Sequence, residues 1–248
     1  MTFKDHFSQQ AATYAAHRPR YPDALYAWLA SQVPTQAFAW DCATGNGQAA
    51  RAIATHFDAV VATDASAAQI DNAGDAAGVT YRVAPAEASG LQPASVDLIT
   101  VAQALHWFDT DAFYAHARVV LKPTGMLAVW TYQLFELEPA IDALIAEFFD
   151  GPIGPFWPAE RRFVDEAYVS ILPDWPAVES PPFFMQCDWR FADVVGYLSS
   201  WSAVQRYKNA HGEDPVADLA ARLAPLWGDG VRQVRWPLLL FAFRLPDA

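Results

Sequence analysis

Two carboxylates and two glycines, Asp41, Gly45, Gly47 and Asp64, stand at spacings suited to holding a small polar ligand. Asp41 ends the apolar run Phe38-Ala39-Trp40, and the turn from Cys42 to Gly47 leads into a helix starting near Gln48. Glycine lets backbone approach a ligand closely, and a helix N-terminus offers unpaired N–H groups. Asp64 ends a second apolar run, Ala59 to Thr63, and lies 19 residues after Gly45. A carboxylate at that strand end is placed to accept both hydroxyls of a ribose. The set suits a cofactor that contains adenosine. A third cluster, Gln103-Ala104-Leu105-His106-Trp107-Phe108, follows another apolar run. An imidazole titrates near neutrality when unperturbed, so His106 is a candidate to deprotonate a hydroxyl. A structural histidine bonded to loop carbonyls is the competing reading.

The elements that must position these groups alternate along the chain. Period and breakers give strands at Phe38–Asp41, Ala59–Thr63, Val79–Val83, Val96–Ala102 and Met126–Thr131, with helices near Gln48–Phe57, Ala67–Ala77 and Asp111–Leu121. Lys122-Pro123-Thr124-Gly125 reads as a turn after the last of these helices. Such alternation implies right-handed crossovers and a mostly parallel sheet. Ahead of it, Phe3, Phe7, Ala11 and Tyr14 recur at helical spacing until Pro19, and Pro22 opens a helix to about Val33. Residues 133–182 are rich in proline and aromatics, with one helical run at Pro139–Phe149, and read as an inserted cap. A strand at Phe183–Arg190, helices at Ala192–Trp201 and Asp214–Leu226, and a strand near Leu238–Arg244 complete the chain.

Composition limits the partners. The chain has 248 residues, 53% of them apolar and 18% charged, enough for a sizeable core in one α/β domain with an insertion. Sixteen basic against 28 acidic side chains give a net charge of −12, which repels a phosphate backbone and argues against nucleic acid. The first residues lack the apolar core of a signal peptide, and Trp236 to Phe243 is too short to span a bilayer, so no membrane is expected. Cys42 and Cys187 make neither a disulfide framework nor a metal site, so a reducing cytoplasm is the default. Six of the ten tryptophans fall after residue 131, either as packing or as the wall of an acceptor pocket.

Gly45-x-Gly47-x-x-Ala50 fits a dinucleotide fingerprint in form. Dinucleotide strands, however, stay apolar up to the first glycine, whereas this one ends in Asp41 four residues earlier. An acid there suits a ligand bearing an ammonium group, oriented directly or through water. The segment resembles motif I of the class I S-adenosylmethionine (SAM) dependent methyltransferases: Asp41, Gly45 and Gly47 match, and Ala43 replaces the first glycine. Alanine is tolerable at that position if its φ is negative. Thr63-Asp64-Ala65-Ser66 is similar to the family's ribose-binding motif, and Pro85-Ala86-Glu87 to its adenine loop, with Pro85 where many relatives carry an aspartate. The Gln103–Phe108 cluster, the run Phe7-x6-Tyr14-x3-Arg18-Pro19-x-Tyr21-Pro22 and Trp201–Tyr207 resemble the group around trans-aconitate methyltransferase, the methyltransferase type 11 group.

That resemblance implies a Rossmann-like fold: a seven-stranded, mostly parallel sheet with a terminal antiparallel strand and helices on both faces. Residues 1–34 would form a helical lid, 35–132 the SAM-binding core, 133–182 the cap, and 183–248 the closing strands and helices. Implied SAM contacts are Asp41, Ala43, Thr44, Gly45, Gly47, Asp64, Ala65, Gln69, Ala86, Glu87, Gln103, Ala104 and Trp107. Tyr14 would shield the sulfonium and Arg18 pair with the methionyl carboxylate. The implied reaction is methyl transfer to a small-molecule acceptor, a carboxylate or other oxygen among the options. An NAD-dependent oxidoreductase, a non-catalytic SAM-binding module and a protein or RNA methyltransferase stay open. Acceptor and oligomeric state are not legible.

Overall fold

The computed structural model describes residues 19–246; Tyr14, Arg18 and most of the expected lid lie outside them. After helix α1 (Asp23–Ser31), the alternating half runs β1 (Phe38–Cys42), α2 (Gln48–Ile53), β2 (Ala59–Asp64), α3 (Ala67–Asp71), β3 (Val79–Val83), β4 (Val96–Ala102), α4 (Thr110–Val120) and β5 (Leu121–Tyr132). The second half holds α5 (Pro139–Asp150), α6 (Arg161–Asp165), β6 (Ala177–Val178), β7 (Phe183–Trp189), α7 (Phe191–Ser199), α8 (Ser202–His211), α9 (Val216–Trp227) and β8 (Arg232–Arg244).

One sheet contains every named strand, in the order β3-β2-β1-β4-β5-β8-β6, with β7 also paired to β8. Strands β1 to β5 are parallel, and β8 runs antiparallel to β5. From β1 the chain winds outward to β3, then returns to place β4 on the other side of β1. The gap between β1 and β4 is therefore the topological switch point, where open α/β sheets bind ligands beyond the carboxyl ends of their strands.

The central strands carry unbroken apolar runs because both faces are covered. Val96, Leu98, Ile99 and Val101 of β4 are fully buried. On one face Leu98, Ala128 and Trp130 join Leu25 and Leu29 of α1 and Ile53 of α2. On the other, Trp40, Ile99 and Val129 join Phe113, Ala117 and Val120 of α4. Asp97, at the amino end of β4, accepts from the Phe38 amide at 2.9 Å and pairs with Lys122 at 2.7 Å, tying together the edge of the sheet opposite the switch-point rim.

The structure corrects several expectations. Eight strands are present rather than seven, because β8 is 13 residues long and pairs with β7 near its start and with the two-residue β6 near its end. Helix α3 stops at Asp71, not Ala77: the Asn72 side chain donates to Ala68 O at 2.7 Å, and Gly74 turns at φ 69°. Lys122–Gly125 lies within β5 as an irregularity, since pairing with β4 skips from Leu121 to Met126. The helices Arg161–Asp165 and Ser202–His211 were hidden in stretches with little apolar period. No helix among the described residues is long and apolar enough to cross a membrane.

Candidate active site

Asp41 and Thr100 face one another across the switch point as Cα partners of β1 and β4. The Thr100 hydroxyl donates to Asp41 Oδ1 at 2.7 Å, and the Thr44 hydroxyl to Oδ2 at 2.5 Å. Asp41 has no exposed surface, and burial raises its carboxyl to about 6, partly offset by these bonds and the Ala50 amide. Both of its oxygens are thus engaged by the protein. The acid anchors the turn from below.

The turn itself visits the left-handed region at alternate residues: Ala43 at φ 54°, Gly45 at 57° and Gly47 at 78°. The condition under which alanine would be tolerable there, a negative φ, is not met. An L-residue there costs roughly 1–2 kcal/mol, so surrounding contacts must impose the shape. Those contacts are visible: Thr44 N donates to Thr63 O at 2.9 Å, and Gly45 N to Asp64 Oδ2 at 2.9 Å. A Cβ at Gly47 would lie 2.8 Å from Tyr81 Cε1, so only glycine fits between turn and ring. Beside Gly45, by contrast, a Cβ would meet nothing nearer than the Gln69 Oε1 at 3.9 Å. The backbone is open for close approach there, and Gln69 is at hand.

Asp64 closes β2 with 8% exposure, and its other oxygen accepts from Ser66 N at 2.9 Å. It does not cap α3; Ser66 does, through Gln69 N at 3.4 Å. Both oxygens of this carboxylate accept hydrogen bonds, the chemistry that ribose hydroxyls require. Ala65 follows directly on the same strand-end loop. Ala86 is buried in the loop after β3, while Glu87 Oε1 accepts from Asp109 N at 3.1 Å and ties that loop to the start of α4. These residues gather along one rim of the sheet.

Beyond β4 the rim continues. Gln103 adopts φ 57°, and its side chain bonds Thr131 and the Tyr132 backbone at the end of β5. Ala104 is buried, and Trp107 packs on His106 with ring centroids 4.5 Å apart. His106 Nδ1 lies 2.9 Å from the hydroxyl of Tyr168. Burial, followed by the positive charge of Arg161, lowers the imidazole to about 3. It is neutral at physiological pH. Tyr168, a residue the sequence reading missed, comes from the 133–182 segment and is fully buried. It follows α6 in a Schellman turn: Tyr168 N donates to Phe163 O at 2.7 Å and Ala167 N to Val164 O at 3.0 Å. Ala167 at φ 53° occupies the position where glycine is usual, and Tyr168 itself sits at 61°. No sequence signal marks this, because neither residue is glycine or asparagine.

Among the basic side chains of the second half, Arg161 pairs with Asp165 at 2.9 Å and lies 5.0 Å from the Phe149 ring, while Lys208 pairs with Asp214 at 2.7 Å. Arg162 stacks on Phe163, and Arg206 reaches Phe156 O at 3.4 Å. No group of three or more metal-ligating side chains is present among the described residues.

Residues 40–129 match the family described as the methyltransferase domain. A Dictyostelium discoideum protein described as a methyltransferase is 32% identical over 225 residues, covering 89% of this chain and 86% of its own. The chain belongs to the class I SAM-dependent methyltransferases. Within them it falls in the type 11 group. This methyltransferase is also 31% identical over 221 residues to one from Schizosaccharomyces pombe, across 86% of this chain and 85% of the relative. A solved structure from Anaeromyxobacter dehalogenans, described as a type II methyltransferase, shares 41% identity and superposes with a TM-score of 0.87 over 93% of this chain and 99% of its own. The cofactor of the family is SAM. The open backbone at Gly45 and the strand-end carboxylate of Asp64 beside it fit that group.

Proposed function

We propose that this methyltransferase moves the methyl group of SAM to a small-molecule acceptor, a carboxylate or another oxygen. The observation that carries the reading is the joint between Gly45 and Asp64, which brings the glycine turn and the strand-end acid together beside the switch point. Bound SAM supplies a methyl group already activated by its sulfonium. The turn Ala43-Thr44-Gly45-Asn46-Gly47 would receive the amino-acid part, with Asp41 acting through the loop it anchors. Asp64 and Ala65 would hold the ribose, and Ala86, Glu87 and Gln69 would surround the adenine. Gln103, Ala104 and Trp107 would line the wall toward the acceptor, and Tyr14 and Arg18 would complete the cover.

The magnitudes favour positioning over proton removal. Alignment of reactants corresponds to about 7–11 kcal/mol of barrier, against about 10²–10⁴-fold for a general base. An imidazole lowered to about 3 is a weak base but a good hydrogen-bond acceptor. His106 would therefore orient a proton-bearing acceptor rather than strip it, and a carboxylate acceptor needs no base. The acidity of the chain, net −12, supports a small acceptor over RNA. Two free thiols, Cys42 and Cys187, suit a reducing cytoplasm.

The test is transfer of methyl-labelled SAM onto a panel of small carboxylic acids, phenols and amines. Labelled ester or ether products are expected. Tight SAM binding with no product on any class would instead leave a non-catalytic SAM-binding module.

A further inference from the structure

The loop that follows β3, residues 84–91, is fastened at three points. Ala84 N donates to the backbone oxygen of Asp64 at 3.0 Å, tying the start of the loop to the end of β2. Glu87 Oε1 accepts from the Asp109 amide at 3.1 Å. Further along, Ser89 N donates at 3.1 Å to Nε2 of His116, a residue of α4. The Ser89 hydroxyl lies 2.7 Å from the same nitrogen, and its oxygen accepts from the Leu91 amide at 3.3 Å. A backbone N–H can only donate, so Nε2 must present its lone pair to the loop. The main chain fixes that direction. A neutral imidazole has one lone-pair nitrogen, so the proton of His116 sits on Nδ1. Ser89 is buried, and an amide left there without an acceptor is costly.

We propose that His116 is a positioning residue for the cofactor: its neutral imidazole clips the adenine loop to α4, and protonation at Nε2 opens the clip. The proposal rests on the reading of Ala86 and Glu87 as the loop that surrounds the adenine. Both lie between the Ala84 and Ser89 attachments, so the segment is held at each end before a ligand arrives. With a proton on Nε2, two donors face one another and the Ser89 end is set free. Binding must then order a segment it otherwise finds ready. Around the ring, β1 presents Trp40, with centroids 5.6 Å apart, and the loop presents Ser89 and Glu87. The β4 and β5 residues in the core beneath α4 are apolar, Ile99, Val101, Leu127 and Val129. On α4 itself, Arg118 lies over the Trp175 ring at 5.0 Å, and Asp109 caps the helix at Ala112 N. Burial lowers the imidazole below its ordinary 6.5, and the Glu87 charge opposes it. The neutral ring is therefore the folded state's form: the clip is fully present above 6.5 and is lost as pH falls through the lowered value.

The experiment joins two measurements on the full chain. Two-bond ¹H–¹⁵N spectra of histidine-labelled protein, assigned by the signals lost in His116→Gln, read the ring directly. Expected at neutral pH is a protonated Nδ1 and a lone-pair Nε2. Calorimetric titration of S-adenosylhomocysteine, from about pH 8 down to about pH 5, then compares the wild type with two variants. His116→Gln keeps an acceptor that cannot titrate, and is expected to bind like the wild type at the upper end and more tightly than it at the lower. His116→Phe keeps a ring but no acceptor, and is expected to bind about fivefold more weakly throughout, the worth of one hydrogen bond. Asp41 titrates in the same range, but it is common to all three proteins, so the difference from His116→Gln isolates the imidazole. A wild-type ring protonated on Nε2 at neutral pH overturns the proposal, and this needs no variant to fold. The same pH dependence in the wild type and His116→Gln overturns it as well. If S-adenosylhomocysteine binds the wild type at no pH, the cofactor reading fails separately, while the ring signals still uphold or refuse the clip.

Discussion

The amide of Gly45 donates to the Asp64 carboxylate across 2.9 Å, joining the turn after β1 to the end of β2. Two features separated by 19 residues thereby become one rim. The turn cannot move without the acid, and the acid is oriented by the turn before any ligand arrives. Preorganisation of this kind reduces the ordering cost that binding would otherwise meet.

Asp41 gives a pH signature. Burial raises its carboxyl from the ordinary 3.8 to about 6. The folded state therefore holds this proton more tightly than the unfolded chain across that window. The resulting stabilisation is fully present below 3.8 and is lost as pH rises through about 6. The span corresponds to about 3 kcal/mol. Asp41→Asn, which does not titrate, is expected to gain roughly that much on the wild type between about pH 4 and about pH 7 in denaturant unfolding. A difference independent of pH would show that Asp41 titrates as an ordinary carboxyl.

Tyr81 and Gly47 test how tightly the turn is seated. Among the described residues the buried Tyr81 hydroxyl has no hydrogen-bond partner, and it occupies the space a Cβ at Gly47 would need. Removing an unsatisfied buried hydroxyl is neutral or favourable, so Tyr81→Phe is expected to raise stability by up to about 1 kcal/mol. Gly47→Ala adds both a clash with the ring and a left-handed alanine, and is expected to cost about 2–4 kcal/mol. In a double-mutant cycle, Tyr81→Ala should recover the clash and leave the backbone cost. Additive changes would mean that the two residues do not touch.

Ala43 is a site for improvement. It stands at φ 54°, where glycine carries no steric penalty. Ala43→Gly is expected to stabilise the protein by about 0.5–1 kcal/mol, a rise of roughly 1–4 °C in Tm by calorimetry. A fall in Tm would place Ala43 in an ordinary backbone conformation.

The parallel half of the fold was legible because its strands are buried on both faces and read as apolar runs ending at Asp41, Asp64 and Ala102. The glycine turn was legible for the same reason, its special backbone being written in Gly45 and Gly47. Ala43 was not: the φ it adopts is imposed by the Thr44–Thr63 and Gly45–Asp64 bonds, which only the folded sheet creates. Tyr168 was hidden for a similar reason. Its turn uses alanine and tyrosine where the usual signal is glycine, and its partner His106 lies 62 residues away. The lengths of α3 and β8 depended on Asn72 capping and on pairing with two strands, neither of which has a local signature.

The most direct test is isothermal titration calorimetry of S-adenosylhomocysteine into the wild type and into Asp64→Ala, with melting curves to verify folding. The wild type is expected to bind one equivalent, and the variant to bind at least about tenfold more weakly, about 1.4 kcal/mol. Absence of binding to the folded wild type, or an unchanged Kd in Asp64→Ala, would contradict the assignment of this rim as the cofactor site.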